Sequence, residues 1–126
     1  MSKVLLDTDV LIDLLRGREA AKMFLQEATR FSIPCCSVIS VAEISVGMHP
    51  DEQEATTGLL DGLVIFPITR PIAELAGRFK GRTKSRRLEL TACLIAATAF
   101  VEGASVATGN AKDYPMEEIT VVLARR

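Results

Sequence analysis

Short apolar runs alternate along this chain with segments whose apolar residues fall at helical spacing, and that alternation leaves few folds open. Val4-Leu5-Leu6 is a continuous apolar run of the kind seen in strands covered on both faces, and it stops at Asp7. Val10, Leu11, Leu14 and Leu15 then recur at helical spacing up to Gly17, a residue able to close a helix in the left-handed conformation. A second helix is expected over 19–29, with Ala20, Met23, Phe24 and Ala28 on one side. Residues 33–38 read as the second buried strand, Ser40 as the start of a helix through Val41 and Ile44, and 51–61 as another helix. A short strand at 63–66 leads to Thr69 as an N-cap, with Pro71 in the first turn of a helix reaching about Lys80. Thr91 is expected to cap an apolar helix over 92–101 that Gly103 ends, before strands at 104–107 and 119–123. Parallel neighbours need crossover connections, so this order predicts an α/β fold. It should form a single domain over 1–126, with three layers and helices on both faces of a mostly parallel central sheet.

The 126 residues suffice to bury roughly two-thirds of the surface an unfolded chain exposes. A composition of 48% hydrophobic and 25% charged residues excludes a disordered chain. The formal net charge of −1 leaves no global polycation, so any nucleic-acid binding must be local. Adjacent Cys35 and Cys36 would face opposite sides of a strand, which argues against a disulfide framework and for a reducing cytoplasm. Asp7, Asp9 and Asp13 interrupt the apolar N-terminal run far short of a signal peptide or bilayer span, so no membrane association is expected.

In open α/β sheets, ligands bind beyond the carboxyl ends of the strands. Asp7, with Thr8 and Asp9, stands at such a place, although an acid or hydroxyl there can equally cap the following helix. Ser40-Val41-Ala42-Glu43 fits a capping box in which Glu43 would fold back on the Ser40 amide, the alternative to a role in a site. Thr108-Gly109-Asn110-Ala111-Lys112-Asp113-Tyr114 brings an amide, a hydroxyl and a carboxylate to the same sheet edge, or forms a plain Gly/Asn turn. Arg78, Lys80, Arg82, Lys84, Arg86 and Arg87 make the one marked charge run, either a phosphate-contacting strip or a solvated helix end. A single histidine, His49, excludes a histidine-rich metal site, and no Gly-x-Ser-x-Gly supports serine-hydrolase chemistry.

Together these segments resemble the motifs of PIN-domain nucleases of the VapC toxin type. Leu5-Leu6-Asp7-Thr8-Asp9-Val10-Leu11-Ile12 is similar to the first, a strand ending in Asp-Thr-Asn/Asp, and Ser40-Val41-Ala42-Glu43-Ile44 to the second, a helix-borne Glu. The segment from Leu88 through Ile95-Ala96-Ala97-Thr98-Ala99 resembles the third, and Thr108 to Tyr114 the fourth. The chain departs from the pattern twice: Ala92 stands where the third motif has an acid, and Gly109 where the fourth usually has Arg.

The resemblance implies a PIN-like, Rossmann-like fold and a Mg²⁺- or Mn²⁺-dependent endoribonuclease, the toxin of a type II toxin–antitoxin pair. Its partners would be an RNA substrate, a cognate antitoxin and a second copy in a homodimer. Asp7, Glu43, Asn110 and Asp113 would be the catalytic set, with Asp7, Glu43 and Asp113 as metal ligands and Thr8, Asp9 and Thr108 in support. Glu89, three residues before Ala92, is the candidate substitute ligand, and Arg82, Lys84, Arg86 and Arg87 are candidate RNA contacts. Cys93 reads as a small buried hydrophobe. The competing readings are a catalytically degenerate PIN fold that binds RNA or protein, which Ala92 favours, and an unrelated α/β module such as a phospho-receiver.

Overall fold

The computed structural model describes residues 1–84 and 87–124. Five strands, β1 (Ser2–Leu6), β2 (Ser32–Ser37), β3 (Val64–Phe66), β4 (Ala104–Thr108) and β5 (Val121–Leu123), form one sheet in the order β3-β2-β1-β4-β5. Every pairing is parallel, with Leu5 opposite Cys35 in β2 and Leu6 opposite Ala107 in β4. The crossovers are α1 (Thr8–Leu15), α2 (Glu19–Ala28), α3 (Val38–Val46), α4 (Gln53–Asp61), α5 (Arg70–Arg82) and α6 (Leu90–Glu102). Short 3-10 turns stand at Pro50–Glu52 and Ala111–Asp113.

The strand residues alternate between two cores, as a period of two requires. Leu5, Cys35 and Val106 join Ile72, Ala76 and Phe79 of α5 and the apolar face of α6. Val4, Leu6, Cys36 and Ala107 join Val10 and Leu11 of α1 and Ile44 of α3, with Phe24 of α2 and Leu59 of α4 against them. Cys35 and Cys36 thus do face opposite sides, and all three cysteines are free and buried. No helix among the described residues is long and apolar enough to cross a membrane.

Several element bounds move from those expected. Strand β2 ends at Ser37, whose hydroxyl accepts from the Ile39 amide and caps α3, so Val38 and Ser40 lie inside the helix. Helix α6 begins two residues early, with Glu89 at the N-cap and the Cys93 amide donating to the Glu89 carbonyl, because buried Leu88 anchors the chain just before it. Thr91 therefore sits within the first turn rather than capping it. The stretch expected as one helix over 51–61 divides into a 3-10 turn and α4, and β5 starts two residues later than expected. Gly17 (φ 71°) and Gly103 (φ 67°) hold the left-handed turns that close α1 and α6, a conformation that costs glycine nothing.

Candidate active site

Strands β1 and β4 are neighbours at the centre of the sheet, so the residues just beyond their carboxyl ends meet. The Asp7 amide donates to the Ala107 carbonyl at 2.9 Å, which sets Asp7 beside Thr108. Asp7 is only 8% exposed, and its carboxylate is held at both oxygens. Oδ1 accepts from the Thr8 amide at 2.7 Å and Oδ2 from the Thr108 hydroxyl at 2.8 Å. Capping α1 and serving a site are thus not alternatives for this residue: one oxygen caps while the other is braced by a strand a hundred residues away.

Glu43 does not fold back on Ser40. Its Oε1 accepts from the Thr8 hydroxyl at 2.7 Å, and the same hydroxyl lies 2.8 Å from that of Ser40. Since a hydroxyl has one proton to give and the carboxylate can only accept, Thr8 donates to Glu43 and accepts from Ser40. The buried Ser40, a turn inside α3, thereby aims Glu43 toward Asp7's side of the sheet through Thr8. At the fourth segment, the Gly109 amide donates to Asp9 Oδ2 at 3.0 Å, and the Asn110 amide donates to Thr108 Oγ1 at 3.1 Å. The Asn110 side chain donates to Asp113 Oδ1 at 3.2 Å.

Asp7, Asp9, Glu43, Glu89 and Asp113 all line one cavity of about 350 Å³, with Thr8, Tyr114 and, alone among the guanidinium groups of the described residues, Arg87. Among the described residues five carboxylates face one cation here, which makes the hollow anionic. Asp113 registers the crowding: although the residue as a whole is exposed, desolvation of its carboxyl, followed by the charges of Asp7 and Glu89, raises its pKa from the ordinary value. Tyr114 is 5% exposed. Burial, then the charge of Asp7 and a hydrogen-bonding contact with it, push its phenol far up, so the hydroxyl stays protonated beside Asp7.

Ala92 does line the cavity, so a methyl group stands in the wall where a carboxylate would reach the other acids. Glu89 lines the same wall one turn earlier, brought there by the early start of α6. Of the other expected residues, Asn110 and Thr108 do not line the cavity but brace Asp113 and Asp7. The basic run divides: Arg87 faces the acids, Arg82 pairs with Glu118 at 2.5 Å and lines a separate cavity, and Lys84 is exposed. Arg86 lies outside the described residues. His49 caps the 3-10 turn at 50–52 and has no place in the cavity, while Cys93 is fully buried. Sequence reasoning missed Ser40 as the support of Glu43 and Tyr114 as a neighbour of Asp7. The signal for Tyr114 was an aromatic residue directly after the last acid, where a hydroxyl is not needed for packing.

The donors are all hard oxygens, the chemistry Mg²⁺ or Mn²⁺ prefers. Among the described residues, no three Asp, Glu, His or Cys side chains stand together as a ready-made cage. What fits a small hydrated cation is the shared lining of one cavity by oxygen donors from several elements, since Mg²⁺ keeps several of its own waters and needs few carboxylates.

A family model of the PIN domain matches residues 4–117. Ribonuclease VapC10 of Mycobacterium tuberculosis is 38% identical over 117 residues, covering 91% of this chain and 88% of that protein. Ribonuclease VapC19 of the same species is 32% identical over 115 residues, 89% of this chain and 92% of that protein. Among solved structures, a toxin–antitoxin complex from Klebsiella pneumoniae superposes with a TM-score of 0.81 at 29% identity, covering 98% of this chain and 99% of that one. DNA-bound VapBC from Salmonella typhimurium gives a TM-score of 0.77 at 20% identity, over 98% of this chain and 99% of that one, which supports the fold alone. With likeness running through nearly its whole length, in sequence and in backbone, the chain belongs to the PIN-domain family and within it to the VapC group.

Proposed function

We propose that this PIN-domain protein is a Mg²⁺- or Mn²⁺-dependent endoribonuclease, the toxin of a toxin–antitoxin pair, acting in a reducing cytoplasm as a homodimer restrained by a cognate antitoxin. The observation that carries this reading is the meeting of Asp7, Glu43, Glu89 and Asp113 around one cavity at the carboxyl edge of a parallel sheet. Antitoxin recognition follows from likeness to VapC proteins and to a chain solved as a toxin–antitoxin complex.

A phosphodiester is anionic and would be repelled by these acids alone. Asp7, Glu43 and Asp113 would hold a divalent ion, which would supply the positive charge that admits the phosphate and offset the charge gathering on its oxygens. The chain's own part is orientation. Thr108 and the Thr8 amide fix the Asp7 carboxylate, Asn110 fixes Asp113, and Ser40 through Thr8 fixes Glu43 with its second oxygen free to take a proton from the attacking water. The new bond joins water oxygen to phosphorus as the bond to the ribose oxygen breaks, the leaving oxygen keeps the electron pair and takes a proton from solvent, and Arg87 stands in the cavity wall to meet the phosphate. Glu89 takes the place of the acid that Ala92 lacks.

The second reading, a degenerate PIN domain that binds RNA or protein without cutting, is favoured by Ala92 alone. The two separate in a Mn²⁺ titration followed by calorimetry and by cleavage of a mixed RNA pool. Metal-dependent cutting by the parent that vanishes in Asp7→Ala and in Glu89→Ala supports the nuclease with its substitute ligand. A silent parent that gains cleavage in Ala92→Asp establishes degeneracy.

A further inference from the structure

A second cavity adjoins the acidic one at Glu43. Ile12 and Glu43 are also walls of this second cavity of about 140 Å³, which continues between α1, α3 and α4 past Leu15, Arg16, Met48 and Thr56. Pockets that take drug-sized molecules run ~300–1,000 Å³, so this one has room for a single planar ring. Its walls divide by chemistry. Ile12, Leu15, Ile44 and Met48 are apolar, and Met is the side chain best able to conform to a flat partner. Glu52, Thr56 and Gly47 supply polar edges.

Arg16 stands at this second cavity, exposed, at the C-cap of α1. Its guanidinium enters no ion pair among the described residues, whereas Arg18, Lys22, Arg30, Arg70 and Arg82 each pair with an acid. Arg87 lines the first cavity and Arg16 the second, so each cavity has a guanidinium in its wall.

We propose that the Arg16 cavity is a subsite for one nucleotide of single-stranded RNA, next to the phosphate held at the acids. The base lies against Met48, Leu15 and Ile44, and Arg16 takes the flanking phosphate. Sequence-tolerant and sequence-specific RNA binding both rely on unstacked bases set against flat or adaptable side chains, with Arg or Lys on the backbone. A strand bound at an anionic site needs cations beyond it, and a guanidinium can grip phosphate with two parallel hydrogen bonds. Ile12 and Glu43 line both cavities, so on this proposal the strand passes over Glu43 on its way from the acids to the second cavity.

This subsite rests on the ribonuclease reading, so its test uses binding as well as cleavage. Fluorescence anisotropy of a labelled single-stranded RNA of mixed sequence is measured with Mn²⁺ over a salt series for the parent, Arg16→Ala, Arg16→Glu, Arg16→Lys and Met48→Ala. Cleavage kinetics are taken in parallel. Arg16→Ala should lower the slope of log affinity against log salt by about 0.7, the loss of one phosphate contact on a single strand. KM should rise several-fold with kcat little changed, and Arg16→Lys should recover most of the loss. Met48→Ala should weaken binding at an unchanged salt slope. Unchanged affinity and slope in Arg16→Ala and Arg16→Glu overturn the subsite, even if the parent cleaves RNA. Loss of antitoxin binding in Arg16→Glu with RNA affinity intact also overturns it, and assigns the cavity to a protein segment. A parent that binds RNA without cutting it, and loses the slope in Arg16→Ala, keeps the subsite while removing catalysis.

Discussion

Thr108→Val tests the placement of Asp7 most directly. The Thr108 side chain is fully buried, and valine has nearly its shape, so the change opens no cavity and deletes only the hydroxyl. That hydroxyl donates to Asp7 Oδ2 at 2.8 Å and accepts from the Asn110 amide at 3.1 Å. Asn110 is exposed, and water replaces its lost acceptor at little cost. Asp7 is almost wholly buried, and its bond is charge-assisted, so the loss is that of a hydrogen bond to an ionised group, about 1.5–3 kcal/mol. For a chain of 126 residues this lowers Tm by roughly 5–12 °C. Thermal unfolding followed by circular dichroism in a chelating buffer keeps metal out of the comparison. Thr108→Ser, which retains the hydroxyl, should lose far less. A double-mutant cycle with Asp7→Asn should return a coupling of about 1 kcal/mol or more. With Mn²⁺ present, Thr108→Val should also cost ~10–100-fold in metal affinity or cleavage, as the loss of an orienting partner does. A Thr108→Val protein that melts with the parent, or a cycle with no coupling, would refute the claim that β4 orients Asp7.

Two further changes probe the same acids. Tyr114→Phe keeps the ring in the core and removes the phenol hydroxyl beside Asp7. It should cost about 1 kcal/mol, less than Thr108→Val, and a loss in Tm equal to or above that of Thr108→Val would contradict this ranking. Asp113→Asn should stabilise the metal-free protein at neutral pH. The folded-state carboxyl is raised above its ordinary value, so the parent's contribution is fully present below the unfolded value of about 3.9 and is lost as pH rises through the folded one. The difference in Tm between variant and parent should therefore open as pH rises from 3 to 7, and one that stays constant would contradict it. Mn²⁺ should reverse the ranking, because only the parent carboxylate can serve as a ligand.

Most of the architecture was legible because it follows from local periodicity. Continuous apolar runs at Val4–Leu6 and around Cys35 and Cys36 mark strands covered on both faces, and all five strands and six helices lie where such patterns place them. Element ends were less legible. Val38 extends an apolar run and so reads as strand, yet the Ser37 hydroxyl caps α3 one residue earlier. Thr91 is a better cap by type than Glu89, but the burial of Leu88 decides where α6 starts.

The acids themselves were also visible, Asp7 by its place after a buried strand and Asp113 by its turn. Their roles were not. Ser40 and Glu43 spell a capping box in sequence, and only Thr8, brought from 35 positions away, draws Glu43 off the backbone and into the cavity. The basic run at 78–87 is uniform as sequence, yet Arg82 is claimed by Glu118 while Arg87 turns to the acids. Chain order therefore determined which segments become strands and helices, because that depends on neighbours a turn or a pleat away. Which side chains share a cavity depended on contacts closed across 30 to 100 positions, and those exist only once the parallel sheet has brought the strand ends together.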